Sequence, residues 1–147
     1  MIYTEAGKYA IRAVIHLAGR LADQVPVPAQ EIATVEGISA SYLAKVLQNL
    51  ARAGIVDSVR GKHGGFLFRR SPDEVHLLEI INTVESPTRL AEECVLGLSE
   101  CNDEVPCSLH DTRQEVCEAL MFQLAEMTVA DLLTEAERKR RQAHPKK

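Results

Sequence analysis

Residues 28–70, PAQEIATVEGISASYLAKVLQNLARAGIVDSVRGKHGGFLFRR, limit what this chain can fold into more than any other stretch, because their apolar period changes from helical to alternating. Pro28 suits the first turn of a short helix, and Gly37 stops it. A second helix follows at once. Ser39 is placed as its N-cap, Ile38 and Leu43 as a hydrophobic staple, and Leu43, Val46, Leu47 and Leu50 as a buried stripe that ends before Gly54. From Ile55 the pattern alternates in twos, breaks at Gly61, Gly64 and Gly65, and resumes to Arg70, which reads as a hairpin with a basic tip.

Two helices joined by a glycine turn and followed directly by a hairpin outline a winged helix-turn-helix. The stripe of the second helix leaves Ala40, Ser41, Ala44, Lys45 and Gln48 facing elsewhere, small or polar groups able to approach base edges. We therefore expect Ser41, Tyr42, Lys45 and Gln48 to meet DNA from the helix, and Arg60, Lys62 and His63 from the wing. Arg60 is the side chain expected to enter the minor groove or clamp a phosphate. Taken singly, a charged hairpin tip is usually only solvated, and glycine-linked helix pairs occur in many helical proteins. Their order is what favours DNA.

Charge divides along the chain in the same sense. Residues 39–70 hold Lys45, Arg52, Arg60, Lys62, Arg69 and Arg70 against Asp57 alone, whereas residues 85–118 hold nine acids against Arg89 and Arg113. The net charge of −4 excludes a protein that coats nucleic acid indiscriminately, and the basic segment suits a specific contact.

Around this unit, Ile11, Val14, Ile15, Ala18 and Leu21 mark a first helix from Thr4, its expected N-cap, to about Ala22. Leu77, Leu78, Ile80, Ile81 and Val84 mark a helix closing the core, with Pro87 ending it. Leu109, Val116, Leu120, Leu124 and Met127 mark one face of a long helix that Thr128 separates from another beginning at Val129. A long apolar stripe with no obvious partner suggests a dimer seam, with packing against the first helix as the other reading. The terminal RKRRQAHPKK reads as a frayed basic tail. The fold expected is mainly α with a small β-hairpin wing. It comprises a winged helix-turn-helix over residues 1–86, a cysteine-rich loop over 87–110, and a dimerisation helix with its tail over 111–147.

The loop is the second informative feature. Cys94, Cys101, Cys107 and His110 are spaced C-x6-C-x5-C-x2-H. No run is long enough for a membrane span, and the N-terminus lacks a signal-peptide pattern, so a cytoplasmic location with reduced thiols is expected. There such cysteines serve as metal ligands or redox thiols rather than staples. Three thiols and an imidazole suit zinc or an iron–sulfur cluster and do not suit magnesium or calcium. The scarcity of glycine and the acids Glu92, Glu93, Glu100, Asp103 and Glu104, which oppose thiolate formation unless a cation is present, lean away from structural zinc. Without metal, residues 92–108 are expected to be mobile. Cys117, inside the long helix, reads as a packed small side chain.

The stretches GKYAIRAVIHLA and IATVEGISASYLAKVLQNLARAGIVDSVRGKHGGF, with the three-cysteine loop and its following helix, resemble the bacterial iron–sulfur winged-helix regulators of the IscR and NsrR type. The likeness covers nearly the whole chain. It implies a homodimeric transcription regulator, repressor or activator, whose affinity for a double-stranded operator follows a cluster held by Cys94, Cys101 and Cys107, with His110 matching the histidine of IscR-like members. Ligation by three cysteines and a histidine favours [2Fe-2S] over [4Fe-4S]. Lys8 stands where some NsrR proteins carry a cluster-reaching aspartate, and Ala44 and Lys45 stand where IscR-like proteins carry a base-reading glutamate and glutamine, so the operator sequence does not transfer. The competing reading is a winged-helix regulator with a thiol-redox or zinc switch at the same cysteines. An enzyme is not expected, for the chain lacks a C-x-x-C pair, a phosphate loop and any visible nucleophile–base constellation.

Overall fold

The computed structural model describes residues 4–85 and 94–143, with side chains described to Lys139. The expected stops and charges at Pro87, Arg89, Glu92, Glu93 and the last residues from His144 lie outside them. Helix α1 spans Glu5–Ala18, α2 Ala29–Glu36, α3 Ala40–Arg52, α4 Leu77–Asn82, α5 His110–Glu126 and α6 Val129–Ala143. Strands β1 (Asp57–Val59) and β2 (Gly65–Leu67) form the antiparallel hairpin, with Asp57 opposite Leu67 and Val59 opposite Gly65. The mainly α winged-helix architecture is thus present.

The helix-turn-helix forms as its residues dictate. At Gly37 the backbone takes φ 66°, a left-handed conformation that glycine adopts without strain, and the Ile38 N–H returns to the Ala33 carbonyl at 2.9 Å to close α2. In α3 the predicted stripe of Leu43, Val46, Leu47 and Leu50 is buried, and each such side chain stabilises the fold by roughly 1.5–3 kcal/mol. Ile38 packs beside it. Neither expected cap uses its side chain as foreseen. The Ser39 hydroxyl pairs with Ser41 Oγ at 3.1 Å, and Thr4 offers its backbone N–H to the Glu85 carboxylate at 2.9 Å.

The wing is wider than the hairpin. Val27, just before α2, exchanges both backbone hydrogen bonds with Phe66 at 2.9 Å, so β2 is paired on both sides at that residue. The two backbones come close: a Cβ placed on Gly65 would lie 2.4 Å from the Val27 carbonyl oxygen. Only glycine fits there.

The face of α1 differs from the expected one. Ala10, Ala13, Val14, Leu17 and Ala18 are buried, while Ile11 and Ile15 lie at the margin, and α1 ends at Ala18 with Leu21–Asp23 forming a separate 3-10 turn. Small alanines at the centre let α3 and α4 approach, and the larger isoleucines flank the contact. The C-terminal helices join this core by two backbone bonds, Leu77 N–H to Met127 O and Val129 N–H to Val75 O, both 2.9 Å. Thr128 then caps α6. Its Oγ and backbone N–H donate to Asp131 Oδ2 at 2.8 and 2.9 Å, and the Asp131 N–H donates back to the Thr128 hydroxyl at 3.3 Å. Helix α6 continues to Ala143, so the basic run from Arg138 is helical over the described residues rather than frayed.

Helix α5 corrects the expected stripe. Leu124 is buried against Leu77 and Ile81, with Leu120 and Met127 beside it, but Leu109 and Val116 are 40% and 54% exposed. Of 17 residues only His110 and Leu124 are buried. Phe122, which the stripe did not include, is 68% exposed.

Candidate functional site

Two sites emerge, a basic face on α3 and the wing, and a thiol cluster ahead of α5. On the first, the stripe that buries Leu43, Val46 and Leu47 leaves Ser41, Tyr42, Lys45 and Gln48 exposed, and the hairpin tip leaves Arg60, Lys62 and His63 exposed. The six cations of the basic segment divide by their partners. Arg69 pairs with Asp57 at 3.0 Å, Arg70 donates to Glu79 at 2.5 Å and to the Glu74 carbonyl at 3.1 Å, and Arg52 donates to Asn49 at 3.3 Å. Among the described residues Lys45, Arg60 and Lys62 have no ion-pair partner, so they keep their full charge for an outside anion.

Tyr42 is only partly available. Its ring meets that of Tyr9 on α1 edge to face, with centroids 5.8 Å apart and planes at 79°. Behind the turn, the Arg12 guanidinium donates to the Glu36 carboxylate at 2.8 Å and to its carbonyl at 2.6 Å, tying α1 to the end of α2. Neither contact was visible in the sequence, since helical spacing identifies buried faces and not which exposed groups meet across elements.

At the second site, Cys94, Cys101 and Cys107 place their sulfurs within 4.8 Å of one another, each partly buried, and no disulfide joins them. Cys94 Sγ and Cys107 Sγ are 3.8 Å apart. Tetrahedral zinc with four thiolates separates its sulfurs by about 3.8 Å, and a cluster also takes thiolates from one side, so the donor set fits a single ion or a cluster. The turn from Cys94 to Gly97 closes with Gly97 N–H on the Cys94 carbonyl at 3.0 Å, and Gly97 takes φ 69°. One glycine therefore suffices at this knuckle, and the expected argument against zinc from glycine scarcity does not hold there. Hydrogen bonding from the Leu98 backbone, joined by that of Leu96 and by the Cys101 and Cys107 thiols, brings the Cys94 thiol down to about 7. At Cys101 a backbone hydrogen bond from Cys107 acts in the same sense, but burial and the two neighbouring thiols outweigh it and push this thiol up. Such hydrogen bonds to sulfur favour a thiolate that faces a cation.

His110, the first residue of α5, adjoins the thiols without sharing their common sphere. Its Nδ1 lies 3.3 Å from Cys101 Sγ, and its Nε2 lies 3.0 Å from Asp103 Oδ1. Cys117 sits one turn further into the helix than Arg113, partly buried and outside the sulfur group. Leu98, Val105 and Pro106 line an open cleft of about 330 Å³ beside Cys101 and Cys107.

Comparison with known proteins adds to this geometry. Residues 3–135 match the model of the Rrf2 family, described as an iron-dependent transcriptional regulator. The chain is 31% identical over 137 residues to the HTH-type transcriptional regulator IscR of Aliivibrio salmonicida, covering 93% of this chain and 80% of that one. Among solved structures, IscR of T. potens superposes with a TM-score of 0.72 at 27% identity, covering 92% and 88% of the two chains. CymR, the global cysteine regulator of B. subtilis, gives 0.72 at 25% identity, covering 90% and 95%.

Proposed function

This chain belongs to the Rrf2 family of DNA-binding transcriptional regulators, and from that premise we propose that its operator affinity is set by an iron–sulfur cluster at Cys94, Cys101, Cys107 and His110. The observation that carries the reading is the sulfur triad within 4.8 Å, one turn ahead of a helix packed on the winged core. The cluster, when bound, supplies a redox-sensitive cation to the thiols. The protein's part is to aim Leu96 and Leu98 backbone N–H groups at Cys94 and to close the loop against His110. With one nitrogen among four donors, [2Fe-2S] is favoured over [4Fe-4S].

DNA is read by Lys45 and Gln48 of α3, with Ser41 and Tyr42 at its start, and by Arg60, Lys62 and His63 of the wing. The protein acts in the cytoplasm as a homodimer. The exposed side chains of Val116 and Phe122 on α5 and of Leu109 just before it support that reading, since a 17-residue helix that buries only His110 and Leu124 in its own chain leaves apolar surface for a second copy to cover. Two reading units then meet half-sites about 34–36 Å apart. The winged helix takes residues 1–86, the cysteine loop 87–110, and the dimer helix with its tail 111–147.

A thiol-redox or zinc switch at the same cysteines is the second reading, supported by the Cys94 thiol brought to about 7 and its 3.8 Å approach to Cys107. Iron, acid-labile sulfide and zinc assays on anaerobically purified protein, with Mössbauer spectra, separate the two. Iron and sulfide in equal amounts support the cluster, and stoichiometric zinc or metal-free reduced thiols reject it.

A further inference from the structure

His110 is the only polar or charged side chain buried among the described residues, at 5% exposure, and each of its ring nitrogens has one partner. The orientation is built from both sides. As the first residue of α5 it takes its direction from the helix, and its backbone N–H donates to the Cys107 carbonyl at 3.1 Å. Asp103 lies in a turn held by Asn102, whose Oδ1 accepts the backbone N–H groups of Glu104 and Val105 at 2.9 Å each.

A carboxylate accepts hydrogen bonds and donates none, so the hydrogen between Asp103 Oδ1 and His110 Nε2 belongs to the ring. A neutral imidazole with its hydrogen on Nε2 has a bare lone pair on Nδ1, and that atom faces Cys101 Sγ. The reverse tautomer sets two lone pairs against each other across 3.0 Å. We propose that Asp103 is a positioning residue that holds His110 in the Nε2–H tautomer and makes Nδ1 the atom offered to whatever the three thiols bind. Carboxylates that orient a ligating histidine recur in metal sites. The assignment deepens the reading of the thiols as a metal centre and rests on it for its purpose, though not for its geometry.

Long-range proton–nitrogen NMR on the reduced, metal-free, ¹⁵N-labelled full chain reads the tautomer directly. His110 is expected as Nε2–H in the parent and in Asp103→Asn, whose amide oxygen accepts the same hydrogen, and as a mixture in Asp103→Ala. A hydrogen on Nδ1 in the parent overturns the assignment, as does an unchanged tautomer in Asp103→Ala. The Asp103 side chain is 90% exposed, so its removal leaves the core intact. Zinc(II) competition titrations provide the second readout. Asp103→Ala is expected to bind about 10- to 100-fold more weakly than the parent, with Asp103→Asn between them. Equal affinities overturn the assignment. Absence of iron and sulfide from anaerobic protein, with the Nε2–H tautomer intact, instead rejects the iron reading and leaves Asp103 in this role.

Discussion

The carbonyl oxygen of Val27 stands 2.4 Å from the point where residue 65 would carry a Cβ, so the residue ahead of α2 and the returning strand of the wing pack backbone on backbone. Gly65→Ala forces that contact open. The expected loss is about 1–3 kcal/mol, typical of overpacking, with weaker DNA binding because the wing shifts. Thermal melting reads the first effect, and a melt identical to the parent's contradicts it.

The unequal pairing of the basic residues predicts unequal effects on DNA. Alanine at Lys45, Arg60 or Lys62 is expected to weaken operator binding and to reduce the slope of log affinity against log salt by about one each where a phosphate is met. Arg69→Ala, which removes a partner of Asp57, is expected to leave that slope near the parent value. A slope change at Arg69 equal to that at Arg60 removes the argument from free cations.

The sulfur triad separates one cysteine from the other three. Cys101→Ala is expected to abolish iron retention and visible absorption, and Cys117→Ala to preserve both, since Cys117 lies outside the triad. Iron analysis and spectra of the two anaerobic variants decide, and a colourless Cys117→Ala protein assigns the site wrongly.

Phe122 is 68% exposed on α5 whereas Leu124, two residues on, is buried. Phe122→Lys is therefore expected to shift sedimentation toward a monomer while keeping the parent's helical circular dichroism. A dimer unchanged by this charge locates the seam elsewhere.

Hydrogen bonds from the Thr128 backbone, and then from its hydroxyl, hold Asp131 below the usual aspartate range. A carboxyl lowered on folding stabilises fully above its unfolded value and loses that contribution as pH falls through its folded value. Asp131→Asn is therefore expected to cost stability at pH 7 and progressively less from about pH 4 downward, where the parent's carboxylate also takes a proton. Urea melts of both proteins across that range test the convergence, and a constant difference at every pH argues against the cap.

Local chemistry made much of this legible in the chain itself. Period and glycine placement located α2, α3 and the wing, because each element buries one face and turns at a residue free to take the turn. The stripe on α3 was read residue for residue. What escaped were relations across elements. Ile11 and Ile15 outrank Ala10 and Ala13 on any hydrophobicity scale, yet close helix packing selects the alanines for the centre. Val27 carried no signal because a single paired residue has no period. Leu109 and Val116 fit the helical spacing of Leu124, but one face of α5 exceeds what α4 can cover. At the thiol site spacing singled out the three cysteines that the fold brings together and the histidine that adjoins Cys101, whereas Asp103 stood out only as one of the loop's acids, its contact with His110 being made by a turn rather than by a repeat.

The rung formed by Leu77 with Met127 and Val129 with Val75 fixes the joint between α5 and α6 to the reading head. Any displacement of α5 would therefore be carried through Thr128 into the strap that holds Val75 and Leu77, and so into the core beneath the wing, rather than being absorbed at the α5–α6 junction.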